Sequence, residues 1–169
     1  GKVLSDCTGD GILSVLAGAE YEAGAPESKI NQPMSLRYLL GGVDKKKLGQ
    51  FFDSLKDPNT AQSGKDGKNL YADVTNKRVS GLTPFFEKAI EAGELVYEDM
   101  VYWQLFDVPG RTDGVALNNP EFFEYTDACD PKQLTQIHLK GKQVILRQLN
   151  FYKKYFPGCE NAYVSNISA

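Results

Sequence analysis

The longest regular pattern in the chain lies near its C-terminal end and predicts a single long helix over residues 130–155. Asp130-Pro131 has the form of a helix start, because an Asp side chain caps free backbone N–H groups and proline suits the first helical position. Pro157-Gly158 supplies a stop. Between them, the residues of one face recur every three or four positions: Leu134, Ile137, Gly141, Val144, Ile145, Leu149 and Tyr152. We interpret this helix as architecture rather than as a site.

Shorter patterns fill the rest of the chain, without an internal repeat or a low-complexity segment. The predicted helices cover residues 11–23, 44–55 and 85–92, and the predicted strands cover residues 2–4, 34–40, 96–108, 115–117 and 162–169. The fold class that this order indicates is α+β, with a mixed sheet, several helices and the long C-terminal helix.

The composition is that of an ordinary globular chain: 169 residues, of which 41% are hydrophobic and 24% charged, with a net charge of −3. A chain of this length buries roughly 70% of its unfolded surface, so it forms a core without disulfides or a structural metal. Lys45-Lys46-Lys47 is the longest basic run. Because that run is short and the balance acidic, we set aside nucleic acid as a partner.

Three cysteines, Cys7, Cys129 and Cys159, lie far apart and in no C-x-x-C spacing. This pattern argues against a disulfide framework and against a metal site. We therefore expect free thiols in a reducing, cytoplasmic environment. No segment approaches the roughly 18 apolar residues of a membrane span, so we expect no membrane partner.

The segment SDCTGDGILS at residues 5–14 places Asp10 between two glycines, between a predicted strand and a predicted helix. Glycine lets another backbone or a ligand approach closely, so this turn is the strongest functional feature of the sequence. A phosphate would be repelled by Asp10, whereas a sugar or ribityl hydroxyl would donate a hydrogen bond to it. The alternative is that Asp10 only caps the helix. The dinucleotide fingerprint G-x-G-x-x-G is incomplete, because Ser14 stands where a third small residue is needed.

Other chemistry-bearing side chains have a structural interpretation beside the functional one. The single histidine, His138, lies in the long predicted helix next to Ile137, where a packing role is more frequent than catalysis. Four basic residues could bind an acidic substrate or simply be solvated: Arg37, Arg111, Lys142 and Arg147. Four aromatic residues could wall a cofactor or substrate pocket or pack in a core: Tyr97, Tyr102, Trp103 and Phe106. The catalytic residues stay unknown.

The segment over residues 56–78 is rich in Pro, Gly, Lys, Asp and Asn and poor in apolar residues. It predicts a mobile surface excursion or linker, because it offers little burial to offset the entropy of ordering. Such a segment is either a plain mobile loop or a lid, and cleavage near Lys65 or Lys68 would separate these interpretations.

The segment DCTGDGILSVLAGAEY at residues 6–21 resembles the D-A-T-G-D-G-D-x-A-x-x-A-G-A segment of FAD-dependent oxidoreductases related to fumarate-reductase-type flavoproteins. QPMSLRYLLGGVD is similar to that family's next strand, and DACDPKQLTQIHLKGKQ with YFPGCENAYV is similar to its late helix and following strand. The resemblance implies cofactor contacts at four positions: Thr8, Gly9, Asp10 and Gly11. Two positions depart from the pattern, since Cys7 replaces an alanine and Ile12 replaces an acid.

In that family a G-x-G-x-x-G strand-turn-helix unit comes before this segment, and the resemblance therefore implies an internal fragment. Residues 1–31 would be a remnant of the FAD-binding domain, residues 32–156 a substrate-side α+β domain, and residues 157–169 a strand that returns to the FAD-binding domain. The partners would be the missing N- and C-terminal parts of its own chain and a small-molecule substrate.

The resemblance also implies the activity. The full-length protein would bind FAD, which the fragment alone would not retain, and would transfer a hydride between flavin and an unidentified small substrate. The alternative is a free-standing, non-enzymatic binding or structural domain with no cofactor.

Overall fold

The computed structural model describes residues 3–28, 30–64, 68–124 and 130–168. The chain divides into two compact units, one made of Gly1–Gln32 with Glu124–Thr126 and the other of Pro33–Phe123 with Asp127–Ala169. Residues 157–169, which were expected to form a segment of their own, belong to the second unit. The functions expected of the three segments stay predictions.

The first unit is mostly irregular backbone, and its regular element is the short helix α1, Ile12–Leu16. The helix predicted over residues 11–23 is therefore wrong in its second half. The cause is Gly18, whose φ of +89° closes a Schellman turn, the motif in which two hydrogen bonds run back across the last helical turn. Val3 and Leu4, the described part of the first predicted strand, are not in a sheet.

The second unit is built on a six-stranded sheet. Its strands lie in the order β3 (Ala61–Gln62), β4 (Tyr71–Thr75), β5 (Tyr102–Asp107), β6 (Val115–Leu117), β2 (Tyr38–Gly41) and β8 (Tyr163–Ile167). A separate two-stranded ladder pairs β1 (Met34–Ser35) with β7 (Glu121–Phe122). Every pairing between the described strands is antiparallel, where the sequence analysis indicated a mixed sheet.

Four helices belong to the second unit as described: α2 (Lys45–Ser54), α3 (Thr83–Glu91), α4 (Glu98–Val101) and α5 (Pro131–Tyr155). The α+β class and the long C-terminal helix are thus confirmed. Local caps explain why α2 and α5 were predictable. Asp44 Oδ1 accepts the Lys47 N–H at 3.0 Å, and Asp130 Oδ1 accepts the Lys132 N–H at 2.9 Å.

The segment over residues 56–78 is more regular than the sequence analysis predicted, because it contains β3 and β4. Leu70, Ala72 and Val74 alternate along the chain and are all buried. This short apolar alternation was hidden among polar neighbours, and the interpretation of the whole segment as a mobile excursion is wrong. Of the two lysines named for cleavage, Lys65 lies outside the described residues.

Residues 98–101 form helix α4, where the sequence analysis predicted a strand over residues 96–108. The aromatic and β-branched composition favoured the strand. Asp99 disfavours an extended strand here, because its Oδ2 accepts the Val96 N–H at 3.0 Å and the Arg147 Nε–H at 3.0 Å. The chain therefore turns before β5 begins at Tyr102.

The core of the second unit is an aromatic cluster that joins three helices to the sheet. Phe86 of α3 lies 4.6 Å from Phe151 of α5 and 5.4 Å from Trp103 of β5, measured between ring centroids. Phe51 of α2 and Phe156 lie 5.6 Å apart in the same cluster. Such tilted and edge-to-face contacts add to the stabilisation that burial alone provides. The interpretation of Trp103 as a core residue is confirmed, since its side chain is fully buried.

A buried polar network connects α5 to the sheet at the edge of this cluster. The Tyr152 hydroxyl accepts the Trp103 Nε1–H at 2.8 Å and shares a hydrogen bond of 2.8 Å with the Tyr38 hydroxyl. Burial raises the pKa of both tyrosines, so both phenols stay protonated and able to donate. The network continues to Asp99 through Gln148, whose Nε2 donates to the carboxylate at 3.1 Å.

Replacing Tyr152 with phenylalanine should destabilise the protein by about 1–3 kcal/mol, because the buried Trp103 N–H loses its acceptor while the volume is kept. Urea unfolding followed by fluorescence measures the change. Tyr163→Phe is the matched control, because Tyr163 is exposed and its hydroxyl has no hydrogen-bond partner among the described residues. Equal stability of both variants would contradict a role for the Tyr152 hydroxyl.

Candidate functional site

The turn before α1 is organised by the carboxylate of Asp6. One oxygen, Oδ1, accepts the Thr8 N–H at 3.0 Å and the Thr8 hydroxyl at 2.7 Å. The other, Oδ2, accepts the Ser14 N–H at 2.8 Å and the Ser14 hydroxyl at 2.9 Å. Thr8 Oγ1 in turn accepts the Ile12 N–H at 2.9 Å. Asp6 thus ties the start of the turn to the first turn of the helix.

These hydrogen bonds also set the charge of the turn. The backbone N–H groups of Thr8 and Ser14 hold the pKa of Asp6 well below its usual range, so its carboxylate is ionised at neutral pH. Of the N–H groups at the start of the helix, that of Ser14 is therefore already bound by an anion of the protein itself, and that of Ile12 by the Thr8 hydroxyl. A phosphate is disfavoured here, as the sequence analysis expected, but the acid chiefly responsible is Asp6.

Asp10 does not cap the helix, and the alternative interpretation of this residue is wrong. The residue at the N-cap position is Gly11, which supplies no side chain, and Thr8 and Asp6 accept the Ile12 and Ser14 N–H groups instead. Asp10 is exposed and has no hydrogen-bond partner among the described residues. Its carboxylate is free to accept a hydrogen bond from a ligand.

The two glycines beside Asp10 adopt backbone angles that favour glycine. The φ of Gly9 is +83° and that of Gly11 is +68°, and a Cβ added at either would meet no atom within 4 Å. The glycines are therefore required by the backbone conformation, not by crowding. Their Cα atoms face open space that a ligand can enter.

Asp6 was not predicted from the sequence, where the glycine-flanked Asp10 was the acid singled out. The signal was present in the spacing Asp6-x-Thr8, since Asp and Thr side chains commonly accept backbone N–H groups a few residues ahead. Ser14 was noted only as a departure from the dinucleotide fingerprint. Its hydroxyl and N–H instead hold the far end of the turn.

The other candidate residues belong to the second unit and are described there by themselves. Arg147 pairs with Asp99 inside the second unit, so it is neither solvated surface charge nor a free substrate-binding group. His138 is half-buried in α5. Lys142 and Arg111 are exposed, and Tyr97 is 55% exposed. Arg37 lies beside Asn118 on the sheet, with its Nε 2.9 Å from Asn118 Oδ1.

The cysteines in the described part of the chain are free thiols, as expected. Cys7 is exposed, whereas Cys159 is buried, and burial raises the pKa of Cys159 to about 12. Cys129 lies outside the described residues. Over the described ranges no cluster of three or more His, Cys, Asp or Glu side chains is arranged to hold a metal ion. No helix in those ranges has the length and apolar character to cross a membrane.

A comparison with protein-family models gives one match that spans the chain. The family described as FAD dependent oxidoreductase matches residues 1–169. The chain belongs to the FAD-dependent oxidoreductase family. The resemblance to FAD-dependent oxidoreductases is thereby confirmed at the level of the family, and the cofactor that the family implies is FAD. No curated protein and no solved structure gives a significant match.

The turn of this FAD-dependent oxidoreductase carries hydrogen-bonding groups that the described part of the protein does not use. The backbone N–H groups of Gly9, Asp10 and Gly11 have no acceptor among the described residues. These three donors and the free Asp10 carboxylate suit the hydroxyl groups of FAD, which both donate and accept hydrogen bonds. The fixed charge of Asp6 suits its pyrophosphate poorly.

The lowered pKa of Asp6 predicts how the turn responds to acid. A carboxylate whose pKa falls on folding stabilises the folded protein when the pH lies above the pKa of the unfolded chain, about 3.9. This stabilisation is lost as the pH falls through the lower pKa of the folded protein. The Ser14 amide resonance should therefore stay at its neutral-pH position through pH 4 and move only at stronger acidity. An NMR titration of the amide measures this.

Asp6→Asn is the variant that tests the charge, and Asp10→Asn is its matched control. Asp6→Asn should shift the Thr8 and Ser14 amide resonances at pH 7, because a neutral amide accepts these hydrogen bonds more weakly. Asp10→Asn should leave both resonances in place. A Ser14 amide that titrated near pH 4 in the unchanged protein would show that Asp6 does not organise the turn.

Proposed function

We propose that the chain is the part of an FAD-dependent oxidoreductase that holds a hydroxyl-bearing portion of FAD and carries the substrate-side domain. The intact enzyme transfers a hydride between flavin and a small organic substrate. When bound, FAD supplies the redox chemistry itself. The observation that supports the assignment most directly is the free Asp10 carboxylate between two positive-φ glycines, both of which face open space.

Three groups of the turn have separate tasks in this proposal. Asp10 accepts a hydrogen bond from a ribityl or ribose hydroxyl. The backbone N–H groups at Gly9 and Gly11 donate to the cofactor, and the missing Cβ atoms let it lie close to the main chain. Asp6 and Thr8 do not touch the cofactor. They hold the turn in shape before the ligand arrives, which lowers the entropy lost on binding.

The pyrophosphate of FAD is held by another segment in this proposal. Residues 3–16 contain two acids, Asp6 and Asp10, and no Lys or Arg. Two phosphate charges near an ionised Asp6 would be repelled rather than bound. Residues 1–169 also lack a complete G-x-G-x-x-G motif, which grips pyrophosphate in dinucleotide-binding folds. Residues 1–31 therefore supply one wall of the FAD site, and the phosphate grip lies outside these 169 residues.

The second unit provides the substrate-side domain. Its sheet carries partly exposed side chains on one face while the other face is buried against the aromatic core, so the domain can fold around its own core and still present a surface to a ligand. The proposal includes a relation to fumarate-reductase-type flavoproteins. It also includes a cytoplasmic location, which suits the free thiols of Cys7 and Cys159.

The 169-residue chain should purify without bound flavin, because the hydroxyl contacts at one turn cannot replace the pyrophosphate grip. Absorbance between 350 and 500 nm, about the range of oxidised flavin, measures cofactor content after purification. A yellow preparation with about one FAD per chain would contradict the division of the site proposed above.

Asp10→Ala should weaken FAD binding at least about tenfold in the polypeptide that retains FAD, since a hydrogen bond to a charged acceptor contributes about 1.5–3 kcal/mol. The melting temperature of the apoprotein should stay unchanged, because Asp10 has no protein partner to lose. Fluorescence titration with FAD and thermal unfolding measure the two quantities.

Glu20→Ala is the matched control for Asp10→Ala, since Glu20 is an exposed acid of the same unit without a described partner. It should leave both the FAD affinity and the melting temperature unchanged. Equal FAD affinity in Asp10→Ala and the unchanged protein would rule out the assigned role of Asp10. A lower melting temperature of Asp10→Ala with unchanged FAD affinity would show that Asp10 has a purely structural role.

A further inference from the structure

One face of the six-stranded sheet carries a continuous row of side chains that the aromatic core does not use. The strand register places Tyr71 opposite Phe106, Phe106 opposite Ala116, Ala116 opposite Leu39 and Leu39 opposite Asn166. Because side chains alternate along each strand, these residues share the face opposite to Trp103 and Leu105. The first four of them are only partly buried.

The middle of this row is hollow because its central side chain is small. Ala116 stands between Phe106 and Leu39, whose larger side chains rise on either side of it. A cavity of about 440 Å³ lies here, and Phe106, Ala116, Leu39 and Asn166 all line it. This volume falls within the range of about 300–1,000 Å³ that is typical of small-molecule sites. The row thus forms an apolar depression that is open to solvent.

A second, polar row runs beside the apolar one and ends at Arg37. The Tyr102 hydroxyl donates to Gln104 Oε1 at 2.8 Å, and Asn118 Nδ2 donates to the same oxygen at 3.2 Å. Asn118 Oδ1 then accepts the Arg37 Nε–H at 2.9 Å. Each group orients the next, so the guanidinium at the rim of the cavity is held in a defined position.

The charge of Arg37 and its terminal N–H donors are not used by other described residues. Arg78 pairs with Asp73 and Arg147 pairs with Asp99, whereas Arg37 has no carboxylate partner among the described residues. Its Nε–H is used by Asn118, and the terminal NH₂ groups make no hydrogen bond in the described structure. A guanidinium whose terminal donors are free binds a carboxylate through a pair of parallel hydrogen bonds.

We propose that this cavity binds a small carboxylic acid with an apolar body, whose carboxylate lies on Arg37 and whose hydrocarbon part lies over Ala116 between Phe106 and Leu39. The inference rests on the proposed function only in naming this acid as the substrate class. The binding itself depends on the sheet alone. Asn118 is the positioning residue, since it holds Arg37 without touching the ligand.

Hexanoate is the probe for this site, and hexan-1-ol and acetate are the comparison compounds. Hexan-1-ol keeps the apolar body without the charge, and acetate keeps the charge with little apolar body. Titration of the ¹⁵N-labelled 169-residue chain, followed by amide resonances, should place hexanoate at Leu39, Phe106 and Ala116. Hexanoate should bind about tenfold more tightly than either comparison compound, because only hexanoate uses both parts of the site.

Variants separate the two parts of the site. Arg37→Gln should weaken hexanoate about tenfold and leave hexan-1-ol unchanged. Ala116→Leu should weaken both compounds, because it fills the cavity. Arg111→Gln is the matched control, since Arg111 is exposed and does not line this cavity, and it should change nothing. Arg37→Lys keeps the charge without the paired donors, and it should lose most of the preference for hexanoate over hexan-1-ol.

Several results would overturn the proposal. These are no hexanoate binding, binding at other amides, equal affinity for hexanoate and hexan-1-ol, or an Arg37→Gln variant that binds like the unchanged protein. If Arg37→Gln does not fold, Arg37→Lys decides in its place. The assay needs no flavin, so a failure to bind hexanoate leaves the FAD assignment intact. A failure of the Asp10 test leaves the cavity as a binding site and removes only its role as substrate site.

Discussion

The fold of the second unit depends on the contact between the long helix and the middle of the sheet, and the Tyr152 hydroxyl is the centre of that contact. It hydrogen-bonds to Trp103 of β5 and to Tyr38 of β2, two strands that are separated in the sheet only by β6. Burying three polar aromatic groups is favourable only if their hydrogen bonds are satisfied. The position of α5 along the sheet is therefore fixed by hydrogen bonds as well as by the surrounding aromatic packing.

The same contact places the parts of the proposed substrate site. Trp103 and Leu105 point into the core, and this orientation sends Gln104 and Phe106 to the opposite face by the alternation of the strand. A shift of β5 by one residue would bury Phe106 and expose Trp103. The packing of the core and the lining of the cavity are thus two consequences of one register.

Local signals made part of the fold predictable from the sequence. Helices α2 and α5 were found because Asp44 and Asp130 are caps within the helices' own sequence. Helix α4 was missed because the aromatic and β-branched composition outweighed the local hydrogen bond from the Val96 N–H to Asp99. The other partner of that carboxylate, Arg147, lies 48 positions away. Strand β4 was missed because its apolar residues are few, and only its neighbours in the sheet make them a strand. Gly18 was a local signal for the early end of α1, but the apolar spacing beyond it favoured a longer helix.

In the candidate sites too, features set by local sequence were predictable and features set by distant contacts were not. The glycines and Asp10 were recognisable from the sequence because their constraint is on the backbone itself. The role of Asp6 was accessible in principle, since its partners Thr8 and Ser14 are close in sequence. The cavity at Ala116 was not accessible, because it is formed by residues of four strands whose register no local pattern reveals.

The two outer strands of the sheet bear on the behaviour of the protein in concentrated solution. An outer strand offers unpaired backbone groups to which another chain can add, which is a route to aggregation. Strand β3 is only two residues long, so it offers a poor template. Strand β8 is longer, but its pairing with β2 shifts register between Leu39 and Leu40, and such an irregularity increases the local twist. Sheet shape rather than outward charge therefore limits strand addition at both ends.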